Sequence, residues 1–418
     1  MRMEAPFNYR DNLLYAEDVA LDSIARRAGT PCYVYSSNAI LGRYRAYDRA
    51  FGDLPHKVCY AVKANSNLAV LALLARAGSG FDIVSGGELH KVLRAGGNPD
   101  DVVFSGVGKS AEEVEFALEK GIHSFNCESE AELTLIDALA ARLGAKAKVA
   151  LRVNPDVDAE THPYISTGLR EHKFGIAMNE VEEIYSRARW HQHLEMEGVS
   201  CHIGSQLLNA EPLLAALDRM LELIDRLRAK GIAIRHLDLG GGLGVPYRAA
   251  EEAPSISDYI TRIRNRVSGR NLTLMVEPGR SLVAEAGILL SRVLYRKRSG
   301  EKEFVILDAA MNDLIRPSLY RAHHEILPVK RDERRGTVVA DVVGPVCETG
   351  DFLARDRELA NVLPGDLVAI CTAGAYGFVL SSNYNARPRA AEVMVAGNGW
   401  RVVRQRESVD DLARGEMV

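Results

Sequence analysis

The segment Val58-Cys-Tyr-Ala-Val-Lys-Ala-Asn65 opens the part of the sequence that determines the fold. Five residues that favour a buried strand are followed at once by a lysine, and a helical segment comes next. Seven further runs of the same kind occur along the chain, with helical segments or loops between them. The eight predicted strands are residues 58–62, 81–84, 102–105, 124–127, 148–153, 198–203, 236–239 and 272–276.

Strands that alternate with helices are typical of a parallel sheet with right-handed crossovers. One of the intervening segments, residues 212–230, carries leucines at the spacing of a single helix face. A series of eight such units favours a closed (β/α)8 TIM barrel, and the alternative is an open doubly wound sheet.

The pattern changes after residue 280. Strand-like runs with turn signals between them and no strong helical crossovers are typical of a mainly antiparallel β structure. These runs are residues 288–295, 303–307, 337–343, 366–370, 392–395 and 401–404, and Cys32-Tyr-Val-Tyr35 adds a strand ahead of the barrel. The predicted fold class is α/β plus β. A (β/α)8 barrel spans residues 38–283, and a mainly antiparallel β-barrel or sandwich domain combines residues 1–37 and 284–418.

The composition excludes several classes of protein. The 418 residues carry 52 Lys and Arg against 56 Asp and Glu, and 47% of them are hydrophobic. A mildly acidic globular chain lacks the basic surface that nucleic acid or an anionic membrane requires, so we expect neither as a partner. Six dispersed cysteines without a CxxC pair predict no metal site and no disulfide framework. With no signal-like start and no apolar run of about 18 residues, we expect a cytoplasmic protein.

Reactive residues follow the predicted strands at their carboxyl ends, where barrel enzymes build their active sites. Lys63 follows the first strand, His202 stands at the end of the sixth and Glu277 follows the eighth. A lysine in this place is either a surface residue at a strand end or an amine that condenses with an aldehyde cofactor. The cluster Gly240-Gly-Gly-Leu-Gly244 and the pair Gly279-Arg280 stand after the last two strands. Barrels commonly bind phosphate there, and a tight turn is the alternative.

A lysine and a phosphate site in one barrel mouth together indicate pyridoxal 5'-phosphate. No GxGxxG follows the first strand and no GxxxxGK[ST] occurs, which disfavours a dinucleotide or a nucleoside triphosphate. Glu277 is the candidate partner of the cofactor's ring nitrogen, with an ordinary salt bridge as the alternative. His202 is the candidate that stacks on the ring, with a core or capping role as the alternative. Ser205 either donates to the phosphate or serves a turn.

Cys347 lies beyond the barrel, in Gly344-Pro-Val-Cys-Glu-Thr-Gly350. The glycines and proline of this segment, with Glu348 beside the cysteine, indicate a presented loop rather than a buried thiol. Arg316 and Tyr376 stand in comparable loops, and the alternative for Arg316 is an ordinary surface arginine. These residues are the second domain's candidates for the site.

The chain resembles the diaminopimelate decarboxylases, pyridoxal-phosphate enzymes of the alanine racemase-like fold type, over nearly its whole length. Some of the shared motifs are general to the fold type, and others are more specific. The general motifs are Ala61-Val-Lys63-Ala-Asn65, His202-Ile-Gly-Ser-Gln206, Gly240-Gly-Gly242 and Glu277-Pro-Gly-Arg280. The specific motifs are Thr161-His-Pro-Tyr-Ile-Ser-Thr-Gly168, Lys173-Phe-Gly175, Arg316-Pro-Ser-Leu-Tyr320, Gly344-Pro-Val-Cys-Glu-Thr-Gly350, Ala375-Tyr-Gly-Phe378 and Ser381-Ser-Asn-Tyr-Asn-Ala-Arg-Pro388.

The resemblance implies a role for each matching position. Lys63 would attach the cofactor, Glu277 would pair with its pyridinium nitrogen and His202 would stack on its ring. Cys347 would be the proton donor, so the expected catalytic residues are Lys63, His202 and Cys347. The residues expected around the phosphate are Ser205, Gly241, Gly242, Gly279, Arg280 and Tyr376. Those expected to bind substrate are Arg280, Arg316 and Tyr320 at the distal carboxylate, Glu348 at the distal ammonium, and Tyr376.

The resemblance also implies the reaction and the assembly. The reaction would be decarboxylation of meso-2,6-diaminopimelate to L-lysine and CO₂, the last step of lysine biosynthesis. The assembly would be a head-to-tail homodimer in which Cys347 and Glu348 enter the neighbouring subunit's site. The composition of residues 162–174 is typical of a loop over the site. The alternatives are a same-fold decarboxylase of ornithine, arginine or carboxynorspermidine, a racemase, and a non-catalytic binding protein.

Overall fold

The computed structural model describes residues 5–157, 173–188 and 190–418. The chain divides into two compact units. One, here called the barrel unit, comprises Arg43–Val245 and Glu252–Ser281. The other, here called the β unit, comprises Met1–Gly42, Pro246–Glu251 and Leu282–Val418, and so draws on three separate stretches of sequence.

Regular structure begins with a small antiparallel sheet of three strands that pair in sequence order. The first elements are β1 Phe7–Arg10, β2 Leu13–Ala16, β3 Val19–Ala20, α1 Leu21–Ala28, β4 Cys32–Ser36 and α2 Ser37–Phe51. Of these strands the sequence analysis predicted β4 alone, because β1 to β3 are too short to show a clear strand period.

Eight parallel strands close into a barrel, as predicted. Each strand pairs with the next, and the last pairs with the first. The strands are β5 His56–Ala61, β6 Gly80–Ile83, β7 Val102–Phe104, β8 Ser124–Cys127, β9 Ala147–Asn154, β11 Leu194–Ser200, β12 His236–Asp238 and β13 Thr273–Val276, with the short β10 Ile176–Ala177 beside β9. Strands β6 to β8 are buried along their whole length, as parallel strands covered on both faces must be.

Helices connect most of the barrel strands. They are α3 Leu68–Arg76, α4 Gly86–Arg94, α5 Ala111–Lys120, α6 Glu130–Leu143, α7 Met178–Ala188, α8 Glu211–Ala229 and α9 Ile256–Val267, and the short α10 Arg280–Val283 follows β13. Four helices of the barrel unit begin after a serine whose hydroxyl accepts a backbone N–H three residues on: Ser85, Ser110, Ser129 and Ser255. Helix α8 buries the predicted leucine face, including Leu213, Leu217 and Leu221.

The rest of the β unit is a mainly antiparallel sheet with two short helices. Its elements are β14 Gly287–Ser299, β15 Lys302–Leu307, α11 Arg316–Tyr320, β16 Ile326–Pro328, β17 Thr337–Val343, β18 Phe352–Ala360, β19 Leu367–Ile370, β20 Ala391–Ala396, β21 Gly399–Arg404 and α12 Val409–Leu412. The main strand order is β18-β17-β15-β14-β4-β20-β21, and β19 pairs with both β14 and β16. Two neighbouring pairs, β15 with β17 and β4 with β20, are parallel.

The predicted fold class is confirmed, and β4 joins the β unit as expected. This strand lies between β14 and β20, where Val34, Ile288 and Val393 share one apolar core. Strand β18 was not predicted, because its charged, largely exposed segment, residues 355–358, shows no alternating apolar pattern. In the part of the chain that the structure describes, no helix has the length and apolar character needed to cross a membrane.

Candidate active site

All eight barrel strands place residues around one cavity of about 420 Å³ at their carboxyl ends. The residues that line it are Lys63, Val84, Ser105, Gly106, Val107, Gly108, Asn126, Arg152, Phe174, Ser200, Cys201, His202, Asp238 and Glu277. The structure therefore brings together three of the predicted residues, Lys63, His202 and Glu277.

A larger cavity of about 650 Å³ lies on the same unit, along α7 and α8. Carboxylates such as Glu180 and Glu182 and the arginines Arg219 and Arg226 line it. None of the described residues around this cavity is a lysine, so it offers no amine to an aldehyde. The smaller cavity at the strand ends is the candidate site.

Lys63 stands in a short 3-10 turn, Val62–Ala64, directly after β5. Its Nζ donates a hydrogen bond to Oδ2 of Asp82 at 2.7 Å. Asp82 lies on β6 and is completely buried, and its Oδ1 has no hydrogen-bond partner among the described residues. The carboxylate thus holds the lysine and keeps one oxygen for a further donor. Asp82 was not predicted as a site residue, although an aspartate inside a buried strand such as Gly80–Ile83 is a signal that points to a functional carboxylate.

Glu277 and Asp238 form a buried carboxyl pair at the ends of β13 and β12. Burial and the charge of Asp238 raise the pKa of Glu277 well above its usual range, and burial also raises the pKa of Asp238. Two carboxylates in one buried site do not both ionise readily, so the pair has a raised tendency to share a proton. Asn126 joins them, because its Nδ2 donates to Asp238 Oδ2 at 3.0 Å and lies 3.4 Å from Glu277 Oε1. A cation against Glu277 would return that carboxyl to its ionised form.

His202 follows β11 and contacts the glycine cluster after β12. Its Nδ1 accepts a hydrogen bond from the Gly241 N–H at 3.2 Å, which makes Nε2 the protonated nitrogen of the neutral ring. Burial, with the charges of Arg152 and Lys63, lowers the pKa of His202 well below its usual value. An uncharged imidazole in this place is suited to stacking on a cofactor ring.

Arg152 lines the cavity from β9, and the sequence analysis gave it no role. Its Nη1 donates to Glu128 at 2.8 Å, and its guanidinium carbon lies 4.8 Å from the ring centroid of Phe174. Glu128 also accepts a hydrogen bond from the Gly175 N–H at 2.8 Å. The arginine is therefore held by a carboxylate and an aromatic ring, and its positive charge helps keep His202 neutral.

The glycine cluster approaches the end of β13 too closely for a side chain. A Cβ on Gly241 would stand 2.4 Å from the carbonyl oxygen of Glu277, and Gly242 has a φ of +114°. In the same unit, Nη2 of Arg280 donates to Oγ of Ser205 at 3.1 Å. Bare backbone, a guanidinium and a hydroxyl are the groups with which proteins bind a phosphate.

Arg316 and Tyr320 lie in the β unit, at the two ends of α11. Because they are four residues apart on a helix, their side chains share a face. Arg316 is buried, its Nη1 donates to the Tyr247 hydroxyl at 2.7 Å, and its guanidinium carbon lies 4.6 Å from the Tyr247 ring centroid. Tyr247, which the sequence analysis missed, therefore holds Arg316 in place.

Cys347 and Glu348 lie exposed in the loop between β17 and β18, and Tyr376 follows β19. All six cysteines lie in described residues, and Cys347 alone is exposed, as expected for a presented loop. The motif at residues 161–168 and most of the expected loop at 162–174 lie outside the described residues.

The chain is similar to known proteins over nearly its full length. Residues 37–284 match the model of the pyridoxal binding domain of pyridoxal-dependent decarboxylases. A diaminopimelate decarboxylase of Pseudomonas aeruginosa is 61% identical over 98% of both chains, and one of Vibrio cholerae is 54% identical over 97% of both. The crystal structure of diaminopimelate decarboxylase from Helicobacter pylori complexed with L-lysine matches with a TM-score of 0.91 at 45% identity, covering 94% of this chain and 98% of that one.

The cofactor is pyridoxal 5'-phosphate, as predicted, and the barrel unit fits it. Lys63 offers an amine, and the buried carboxyl of Glu277 suits a protonated ring nitrogen. Among the described residues that line the cavity, buried polar atoms of Asn126 and Ser200 have no hydrogen-bond partner, as expected where a polar group is to be received. By its sequence, its fold and its cofactor, the chain belongs to the diaminopimelate decarboxylase family of pyridoxal-dependent decarboxylases.

Proposed function

We propose that this chain catalyses the decarboxylation of meso-2,6-diaminopimelate to L-lysine and CO₂, the last step of lysine biosynthesis. The observation that carries the proposal is the cavity in which Lys63, His202 and Glu277 meet at the barrel mouth. Its amine, buried carboxyl pair and uncharged imidazole match the needs of a pyridoxal-phosphate decarboxylase. The relatives' names supply the substrate.

Pyridoxal phosphate supplies, when bound, an electron sink for the pair left on the α-carbon as CO₂ departs. Lys63 would hold the cofactor through Nζ, and Asp82, which accepts from Nζ at 2.7 Å, orients that nitrogen. Glu277 would hold a proton at the ring nitrogen, and Asn126 contacts both carboxyl groups of the pair. His202, as a neutral imidazole, would cover one ring face and keep water from it.

The second carboxylate of the substrate needs a cationic partner, and two arginines are the candidates for it. Arg316, fixed by its hydrogen bond to Tyr247, is the proposed anchor, with Arg280, Tyr320 and Tyr376 as its partners in binding. A planar guanidinium binds a carboxylate through two parallel hydrogen bonds. A substrate with a distal carboxylate is therefore favoured over ornithine, arginine or carboxynorspermidine.

Two exposed residues complete the proposed site. Glu348 pairs with the distal ammonium, and the thiol of Cys347 gives a proton to the α-carbon after CO₂ has left. Their exposure on a loop of the β unit suits residues that act in a neighbouring subunit. The proposed assembly is therefore a head-to-tail homodimer with shared sites. Residues 38–283 bind the cofactor, while residues 1–37 and 284–418 contribute to the site and the interface.

We place the reaction in the cytoplasm. All six cysteines, each within the described residues, are free thiols. Free thiols are typical of proteins that work in a reducing compartment, as the dispersed cysteines of the sequence also indicate.

CO₂ release by the purified protein with added pyridoxal phosphate tests the proposal. Four substrates are compared: meso-diaminopimelate, ornithine, arginine and carboxynorspermidine. We expect release from diaminopimelate alone, with L-lysine as the other product. Release from one of the other three instead would overturn the argument from Arg316 while keeping the cofactor. No release from any of them, with the cofactor attached through Lys63, would favour a binding protein.

A further inference from the structure

Two loops of the β unit meet at Cys347 and Glu348. The first, here called the cysteine loop, is residues 344–351, and the second, here called the asparagine loop, is residues 381–388. The N–H of Cys347 donates to Oδ1 of Asn385 at 2.8 Å. The hydroxyl of Tyr384 donates to Oε2 of Glu348 at 3.3 Å. Each proposed functional residue thus contacts one residue of the asparagine loop.

The cysteine loop is fixed at its base. Asp351 is buried, and its two oxygens accept hydrogen bonds from the Val346 N–H at 2.8 Å and the Met311 N–H at 2.7 Å. The tip of the loop is exposed, and there the asparagine loop supplies two side-chain groups, an acceptor for the Cys347 N–H and a donor to the Glu348 carboxylate. The position of the tip therefore depends on the neighbouring loop.

The asparagine loop is itself held firmly and contains strained backbone. Nδ2 of Asn383 donates to Glu407 at 2.6 Å, and Nε of Arg387 donates to the buried Asn312 at 3.1 Å. Between these anchors Asn385 has a φ of +57°, and the next residue has a φ of +52°. Residues other than glycine rarely adopt this left-handed conformation, and where they do they are concentrated at functional sites.

We propose that Tyr384 and Asn385 are positioning residues for the reaction. Tyr384 orients the carboxylate of Glu348 toward the distal ammonium of the substrate, and Asn385 fixes Cys347 so that its thiol reaches the α-carbon. The inference rests on the proposed function. It divides the two tasks, because Tyr384 acts on substrate recognition and Asn385 on the return of the proton.

The charges at the loop tip favour the Tyr384 hydroxyl as the donor and the Glu348 carboxylate as the acceptor of their hydrogen bond. The negative charge of Glu348, followed by the hydrogen bond to it, raises the pKa of Tyr384. The tyrosine hydroxyl therefore stays protonated at neutral pH and remains a donor to the carboxylate.

Tyr384→Phe tests the recognition half. We expect KM for diaminopimelate to rise about fivefold with kcat nearly unchanged, because one hydrogen bond to a charged group is lost. The analogue 2-aminopimelate lacks the distal amine, so the same substitution should hardly affect its turnover. In a Glu348→Gln background the effect of Tyr384→Phe should disappear. Tyr295→Phe, at an exposed tyrosine of β14, is the matched control. Equal effects on both substrates, or full additivity with Glu348→Gln, would overturn the role of Tyr384.

Asn385→Gly and Asn385→Asp test the positioning of Cys347. Glycine accepts the left-handed backbone and removes the acceptor, whereas aspartate keeps an acceptor oxygen at the same place. We expect kcat to fall about tenfold in the glycine variant and to recover in the aspartate variant. Hydrogen exchange of the Cys347 amide, measured on the holoenzyme without substrate, should become about tenfold faster in the glycine variant only. Equal exchange rates in all three proteins would overturn the role of Asn385.

The two proposals fail in different ways. If the unmodified holoenzyme releases no CO₂ from diaminopimelate, the proposed function and this inference fall together. If it releases CO₂ normally while Tyr384→Phe leaves KM unchanged and Asn385→Gly leaves the Cys347 amide protected, the inference alone falls.

Discussion

Asp82 and Lys63 show how a single pair of residues serves both stability and chemistry in the barrel unit. Asp82 is completely buried and accepts from the lysine Nζ at 2.7 Å. Removing a carboxylate from water costs several kcal/mol, and the lysine charge offsets that cost only while both partners are present. The residue proposed to attach the cofactor therefore also balances a buried charge.

Lys63→Ala should lose the attached cofactor and lower the free energy of unfolding by about 1 to 3 kcal/mol, because Asp82 is left without its cation. The lysine side chain is 37% exposed, so solvent screening keeps the loss below that of a fully buried pair. Visible absorbance of the cofactor and urea denaturation measure the two effects.

Two further variants separate these effects. Adding Asp82→Asn to Lys63→Ala should restore stability but not cofactor attachment. Lys57→Ala breaks the partly exposed pair with Asp101 and should cost less than about 1 kcal/mol. A Lys63→Ala protein that is as stable as the unmodified chain would contradict the buried-charge argument.

Strand β12 carries one residue of the candidate site and one residue buried away from it. It is three residues long, and alternation places His236 and Asp238 on the same face at its two ends. Asp238 belongs to the carboxyl pair of the site. The ring of His236 is buried, and a Cβ on Gly198 of the paired strand would stand 1.9 Å from its Nε2. Burial, followed by the charges of His123 and Lys148, lowers the pKa of His236 to about 4.

Stability should consequently fall as the pH drops from about 6.5 to about 4. In this window His236 is protonated in the unfolded chain and neutral in the folded chain, so the unfolded state binds more protons. Each pH unit then costs about 1.4 kcal/mol for this residue, and above the window its contribution no longer depends on pH. The urea midpoint measured from neutral pH downward should fall less steeply in His236→Gln. An equally steep fall in that variant would contradict the assignment.

For the molecule as a whole, the proposed shared sites require residues from two chains. Lys63 belongs to the barrel unit and Cys347 to the β unit, and the exposed cysteine loop presents its thiol outward. Suppose that each site takes its lysine from one subunit and its thiol from the other. In a dimer of one subunit without the lysine and one without the thiol, one site then receives both defects and the other receives both intact residues.

Lys63→Ala and Cys347→Ala should each be nearly inactive alone but should recover activity when mixed. After exchange of subunits, half of the dimers are mixed and each has one intact site, so about a quarter of the original activity is expected. CO₂ release after reassociation measures it. A mixture of Lys63→Ala with Glu277→Ala, both in the barrel unit, is the control and should stay inactive. No recovery in the first mixture would place both residues in a site within one chain.

The amino-acid sequence by itself determined the eight barrel strands, the glycine-rich segments after the last two and the lysine after the first. It did so because strand and helix periods, turn residues and short motifs are properties of neighbouring residues. Where local pattern is weak, prediction failed. The short strands β1 to β3 and the charged strand β18 carry no clear apolar alternation.

Only the tertiary structure decided which groups act together. Lys63 meets Asp82 across 19 positions of sequence, Asn126 meets Asp238 across 112, and Cys347 meets Asn385 across 38. Barrel closure and the return of loops create these contacts, and pairs so far apart leave no periodic signal in the chain. Burial likewise exists only after folding, and burial sets the direction in which the pKa values of Glu277 and His202 shift.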